Sequence, residues 1–292
     1  MLRSSARFIR GPTRRPSCAD DWGDRLVPDA VREAWREGAR AHIAKTRPGW
    51  TPEVDVLDLA LRANAAYADI IVRSRYVEDA LEAALRGGID QYVIVGAGFD
   101  SFLCRHPAWA EGVTVIEVDH PATQRFKRER LAACGVVVPS GGHFVETDLS
   151  SETLDAALTR SPFRRNRPAF FAWIGVTMYL PREANLATLR AIATSTSAGA
   201  DVVFSYVDEV AFAPGAASDA DFKRLRAEVA AAGEALVSGF DPAGLRDVLS
   251  GVGLALIEDL TGAEALARYD PAGRNGLRSS PVAHLAHART LE

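Results

Sequence analysis

The stretch from Gln91 to Asp119 constrains the fold more than any other. Tyr92-Val93-Ile94-Val95 is a β-branched apolar run that stops at Gly96-Ala97-Gly98-Phe99-Asp100-Ser101, and a second run, Val113-Thr114-Val115-Ile116, ends at Glu117-Val118-Asp119. The expected order is strand, glycine turn, helix, strand, acid. Glycines at a strand's carboxyl end let the main chain approach a ligand, and an acid closing the next strand, roughly 20 residues on, accepts hydrogen bonds from a ribose diol. A nucleoside-bearing ligand is therefore expected. Ser101 stands where the dinucleotide fingerprint has its third glycine, so a pyrophosphate is not specifically indicated, and an adenosyl group without phosphates fits as well.

The rest of the composition narrows the class. A chain of 292 residues, 48% of them hydrophobic, can bury a full core in one large domain or in a domain with an appendage. A net charge of −4, from 34 basic and 38 acidic side chains, gives no general drive toward nucleic acid or anionic membrane. A small-molecule or peptide substrate is expected. No apolar run approaches the roughly 20 residues of a bilayer span and no secretory segment is visible, so the expected location is cytoplasmic. Cys18, Cys104 and Cys134 fit no metal or redox spacing and read as free thiols. The six histidines form no HExxH or comparable pair, so no metal site is expected.

Residues 1–23 carry five arginines and no acid before Asp20, a composition shared by disordered basic tails and organellar transit peptides. Residues 24–88 are expected to form an N-terminal helical cap, with one helix over Val27–Lys45 and another from an N-cap at Thr51 to Arg86, broken near Asn64. Residues 89–292 are expected to form the main domain. Pro121 opens a helix to Cys134; further strands fall at His143–Glu146, Pro168–Ile174 and Asp201–Tyr206, with a helix over Ser151–Thr159 and another after Pro181. An alanine-rich, mostly helical insertion at 208–240 is too long for a simple connection and reads as a lid. A helix from Asp241-Pro242, then strands Leu254–Glu258 and Val282–Ala288 separated by a loop over Arg268–Pro281, complete the chain.

Several of these segments together resemble the leucine carboxyl methyltransferase family, in particular its bacterial branch of S-adenosylmethionine-dependent methyltransferases, which includes enzymes of natural-product tailoring. They are Arg73-Ser74-Arg75-Tyr76 with Asp79; Val95 to Ser101; Glu117-Val118-Asp119 with Phe126-Lys127; Asp148-Leu149; Gly175-Val176-Thr177-Met178-Tyr179-Leu180-Pro181; and Gly239-Phe240-Asp241. They span residues 60–290 or so in the family's order. The resemblance implies a doubly wound α/β fold of class I methyltransferase type, a seven-stranded sheet with its last strand antiparallel, N-terminal helices and a helical lid. It implies S-adenosyl-L-methionine as cofactor, approached by Gly96, Ala97, Gly98, Asp100 and Gly175, with Asp119 and His120 at the ribose and Asp148 and Leu149 flanking the adenine. Arg73 would pair with the methionine carboxylate and also with a substrate carboxylate, and Tyr179 would lie near the transferred methyl. The chain departs from the family at Ile174, where a glutamate is usual; Ser101 for threonine keeps the hydroxyl.

Each of these residues also has a plainer reading. The glycines serve a tight turn, Asp119 caps the helix at Pro121, Asp148 caps the Ser151 helix, and Arg75 pairs with Glu78, Asp79 or Glu82 one turn away. Two arginines two apart on a helix face different sides, so at most one of Arg73 and Arg75 faces a cleft. The expected reaction is methylation of a carboxylate, which needs no general base. Methylation of a hydroxyl would need one, and His106, His120 and His143 are the candidates near strand ends. A nicotinamide-dependent oxidoreductase and a non-catalytic scaffold of the same fold are the readings from other classes.

Overall fold

The computed structural model describes residues 22–213, 220–231 and 233–291. The basic tail expected over 1–23 and Cys18 therefore lie outside the described residues, apart from Trp22 and Gly23, which open helix α1 (Trp22–Leu26).

Seven strands form one sheet: β1 (Gln91–Val95), β2 (Thr114–Asp119), β3 (Gly142–Glu146), β4 (Ala169–Trp173), β5 (Ala200–Val207), β6 (Leu254–Thr261) and β7 (Ala283–Thr290). Their order is β3-β2-β1-β4-β5-β7-β6. The first five pair in parallel, and β7 inserts antiparallel between β5 and β6. This is the expected architecture. The chain runs outward from β1 to β3 and then returns to β4 on the other side of β1. That reversal opens a crevice at the carboxyl ends of β1 and β4, where open α/β sheets bind ligands.

Burial on both faces explains the continuous apolar runs. Along β1, Val93 and Val95 join one core layer while Tyr92 and Ile94 join the other; along β4, Phe171 and Trp173 alternate with Phe170 and Ala172 in the same way. The period of two sends neighbouring residues to opposite layers, so a strand with helices on both sides must be apolar throughout. The layer containing Tyr92 is covered by α3 (Val56–Arg62) and α4 (Ala65–Arg86), and the opposite layer by α7 (Leu154–Thr159), α8 (Arg182–Thr194) and α10 (Leu245–Ser250). Between β1 and β2 lies only α5 (Phe102–Arg105) and a short 3-10 turn, and α6 (Pro121–Ala133) joins β2 to β3.

Several boundaries differ from expectation. The helix expected from Thr51 begins at Val56, with Asp55 as its cap, because Glu53 and Val54 stay exposed while Leu57 and Leu61 enter the core. Its break falls at Asn64, as expected, whose side chain accepts from the amide of Ala66 and caps α4. The Ser151 helix starts at Leu154 under a Thr153 cap. That leaves Asp148 to close its own turn by accepting from Ser150 N (2.9 Å) and Ser150 Oγ (2.6 Å), so it does not cap the helix. The late helix begins at Leu245. Most of the difference lies after β6, which runs on to Thr261 and passes directly into an unforeseen helix, α11 (Gly262–Tyr269). In the insertion, α9 (Ala220–Ala231) is the helix among the described residues.

Candidate active site

The crevice at the β1–β4 switch contains two cavities. The first, about 270 Å³, is walled by Gly96, Ala97, Gly98, Asp100 and Ser101 after β1, by Ile174 and Gly175 after β4, and by Ile70, Arg73 and Val77 of α4. The second, about 350 Å³, is walled by Asp69 and Arg73 of α4, Gly175 and Tyr179 after β4, Phe222, Leu225 and Val229 of α9, Leu236, and His284 of β7. Ile70, Arg73 and Gly175 line both. A larger cleft, about 1060 Å³, opens at the other end of the sheet beside Ala200, Asp201 and Arg289, where the parallel strands begin. It lies away from the switch point, and its charges are already paired, Asp201 with Arg289 and Arg268 with Glu258.

The glycine turn is built from main chain. Gly96 has φ +70°, and a Cβ there would lie 2.3 Å from Val176 Cγ2, so no side chain fits. Gly98, at φ +48°, faces open space instead. Its amide donates to Asp119 Oδ2 at 2.6 Å, and the His120 amide donates to Asp119 Oδ1 at 2.7 Å. Each carboxylate oxygen keeps a lone pair for a further donor. Burial raises the Asp119 carboxyl above its ordinary range, while those two amides and the nearby Lys127 ammonium pull it back. Capping of α6 falls to the His120 side chain, which accepts from the Ala122 amide at 3.3 Å. Asp119 therefore does not cap that helix.

Arg73 and Arg75 separate as helix geometry demands. Arg75 Nε donates to Asp79 Oδ1 at 2.9 Å. Arg73 turns inward beneath Gly175, where a Cβ would meet its Nη2 at 2.7 Å. Its Nε is buried without a hydrogen-bond partner among the described residues. Burial pulls its guanidinium down from the usual value, against the opposing pull of Asp69 and Tyr179; a guanidinium stays charged nonetheless. What the first cavity offers is thus a buried cation, Arg73, and an open main-chain approach at Gly98, whose amide is held by Asp119 just outside the cavity wall. Of the expected site residues, Asp119 and His120 at the end of β2 and Asp148 and Leu149 beyond the end of β3 lie outside the walls of both cavities.

The second cavity is mainly apolar, with a few polar groups. Asp69 accepts from Ser279 Oγ and the Ser280 amide, and burial raises its carboxyl to about 6. His284, 8% exposed, points Nδ1 toward Asp259 Oδ1 at 3.6 Å and stacks on Tyr206, whose hydroxyl donates to Asp259 Oδ2 at 2.7 Å. None of the expected base candidates reaches this cavity: His106 and His120 are exposed at turns, and His143 lies on the edge strand β3. His284 was missed because a histidine inside a late apolar strand carries no local signature. Ile174 contributes an apolar wall to the first cavity and packs on the core layer containing Tyr92.

A seven-stranded sheet of this order, with a glycine turn after β1 and an acid at the end of β2, defines the class I methyltransferase fold. The leucine carboxyl methyltransferase family model matches residues 3–193, and the chain belongs to that family. YktD of Bacillus subtilis (strain 168), whose name marks it as an inferred S-adenosyl-L-methionine-dependent methyltransferase, is 31% identical over 75% of this chain and 71% of its own length. A similarly named protein of Mycobacterium avium (strain 104) is 31% identical over 68% of this chain and 60% of its own length. Among solved structures, a DUF574 family protein of Streptomyces avermitilis superposes with a TM-score of 0.55 at 19% identity, covering 87% of this chain and 90% of its own. A Thermobifida fusca YX protein described as an inferred methyltransferase gives 0.55 at 16% identity, covering 87% and 94%. At these identities the two structures bear on the fold alone.

Proposed function

We propose that this S-adenosyl-L-methionine-dependent methyltransferase methylates a carboxylate of a small, largely apolar molecule or peptide end held in the second cavity. The observation that carries the reading is the meeting of two cavities at Arg73 and Gly175, the first combining a glycine turn and charged groups with apolar side chains, the second mainly apolar. The residues fit the donor: a buried guanidinium with an unpartnered Nε suits its carboxylate, the open space at Gly98 leaves room for its ribose, and Asp119 retains lone pairs for the diol. When bound, the donor supplies an electrophilic methyl on a sulfonium.

The chain's residues then position and shield. Arg73 faces both cavities and can pair with an acceptor carboxylate as well as the donor's. An ionised acceptor carboxylate held there would take the donor's methyl with no proton to remove, so no base is needed. Phe222, Leu225 and Leu236 exclude water, and alignment in the shared wall supplies the acceleration. Burial raises the Tyr179 phenol, with Glu234 adding to it, which keeps the hydroxyl a neutral donor beside the transferred methyl. A cavity of a few hundred Å³ suits a small natural product, consistent with a tailoring role.

His284 favours a second reading. Stacked on Tyr206 and 3.6 Å from Asp259, its ring can take the proton of an acceptor hydroxyl. Incubation with methyl-deuterated donor, a library of carboxylic acids and phenols, and alkaline treatment of the labelled product separates the two. An alkali-labile ester supports the carboxylate reading, with His284→Gln still active; an alkali-stable ether that disappears in His284→Gln overturns it.

A further inference from the structure

Helix α4 carries two acid–arginine pairs at the spacing of one turn, and they behave differently. On one side Arg75 bonds Asp79, four residues on, at 2.9 Å. On the side facing the cavities Asp69 and Arg73 stand at the same separation and in the better order for pairing, acid ahead of base. Yet among the described residues no ion pair joins them. Asp69 turns to the loop after α11, accepting from Ser279 Oγ and from the Ser280 amide at 3.2 Å, while Arg73 turns under Gly175.

Both groups line the second cavity, and among the described residues Asp69 is the one carboxylate in its wall. It does not line the first cavity, so the donor leaves it unused. The corner is built for close approach, since a Cβ at Gly262, also in the wall, would run into Ser279 Oγ and lie 2.9 Å from Asp69 Oδ1. Two accepted hydrogen bonds fill about half of the four or so lone-pair sites of a carboxylate, which leaves room for a further donor. A charge set among apolar walls is costly until a counter-charge meets it. Four residues of helix advance about 6 Å, so a ligand carrying both charges can bridge the gap that the two side chains leave open.

We propose that the acceptor is a small carboxylic acid bearing a protonated amine a few bonds from its carboxyl group, with Asp69 taking the ammonium while Arg73 holds the carboxylate. This deepens the carboxylate reading and rests on it. Asp69 is then a specificity-determining residue that selects the amino acid over the plain acid, and its bonds to Ser279 and Ser280 fix where the ammonium sits. An ammonium so held has no lone pair to offer, which leaves the carboxylate as the nucleophile.

Calorimetric titration at pH 7.5, with S-adenosyl-L-homocysteine saturating, compares three probes of one apolar body: phenylalanine, 3-phenylpropanoate, which lacks the amine, and 2-phenylethylamine, which lacks the carboxylate. Wild type is expected to bind phenylalanine about 10- to 100-fold more tightly than 3-phenylpropanoate, the range of one charge-assisted hydrogen bond. Asp69→Asn loses that preference, with Tm no lower and affinity for S-adenosyl-L-homocysteine unchanged. Ser279→Ala, which drops the tie to the loop and keeps the charge, retains it. An unchanged preference in Asp69→Asn, an equal loss in Ser279→Ala, or failure of all three probes to bind wild type overturns the proposal. The probes also separate the two claims. If 3-phenylpropanoate binds as tightly as phenylalanine and 2-phenylethylamine does not, the proposal alone fails; if 2-phenylethylamine binds as tightly as phenylalanine, the carboxylate reading fails and the proposal with it.

Discussion

The two cavities are built by different means. The first is organised by backbone and charge, a turn in which Gly96 has no room for a side chain and Arg73 under Gly175, with apolar side chains such as Ile70, Val77 and Ile174 closing its walls. The second draws its walls from distant segments, among them α4, the turn after β4, β5, α9, α11 and β7, and they are mainly apolar. A site built on main-chain geometry tolerates almost no substitution and serves one ligand, whereas a pocket built on apolar side chains can be resized residue by residue. The contrast predicts that variants of the first cavity disturb donor binding, and those of the second leave it intact.

The largest effect is expected at Arg73, which touches both. Arg73→Ala removes a charge-assisted pair and leaves a buried anion unmatched, which should weaken S-adenosyl-L-homocysteine binding by about 2–3 kcal/mol, or roughly 100-fold by calorimetry. Retained donor affinity in that variant would break the comparison. On the acceptor side, Phe222 is 5% exposed and faces the second cavity. Phe222→Ala should raise the KM for the acceptor by roughly 10- to 100-fold, as loss of apolar pocket contacts does, with donor affinity within about twofold of wild type.

Asp69 sharpens the contrast through pH. Its carboxyl is raised from 3.8 to about 6 mainly by burial, so the folded protein holds a proton that the unfolded chain releases. Stability is therefore full below about pH 4 and falls as pH rises toward 6, by at most about 2–3 kcal/mol. Asp69→Asn should flatten that fall in Tm between pH 4 and 6.5 while leaving donor affinity unchanged at pH 8. The smallest effect is expected at Thr261, whose side chain forms a capping box with Glu264 at the start of α11. Thr261→Ala should cost about 1 kcal/mol of stability, read as a lowered Tm, with a modest rise in acceptor KM because Gly262 lines the second cavity.

The same contrast decides what was legible in the amino-acid sequence. The first cavity was legible because each of its parts requires a particular residue type: glycine where φ is positive, an acid at the end of β2, a basic residue on the inner side of α4. The seven-stranded order followed from five strand–helix units ahead of a final strand pair, and the cover on both faces from continuous apolar runs. The second cavity was not, because Phe222, Leu225 and Leu236 are ordinary apolar residues whose convergence is set by tertiary packing. His284 is one residue of an alternating strand, and its partner Asp259 lies on β6, 25 positions away in the chain but adjacent in the sheet. Helix α11 starts at a capping box, Thr261-Gly262-Ala263-Glu264, but with β6 expected to end at Glu258 those residues fall in a connection, where Thr and Glu carry no weight. Asp148 and Asp55 show the limit of local cap reasoning, as neighbouring residues compete for the same amides and core burial decides where each helix starts.

The central claim is that donor and acceptor sites adjoin but are built independently, and one titration tests it directly. S-adenosyl-L-homocysteine is titrated calorimetrically into wild type, Asp119→Ala and Phe222→Ala. Micromolar binding by wild type and Phe222→Ala, with at least a tenfold loss in Asp119→Ala, is the predicted result. Equal affinity in all three, or absence of binding by wild type, would contradict it and place Ile174 among the residues that have closed the crevice to its donor.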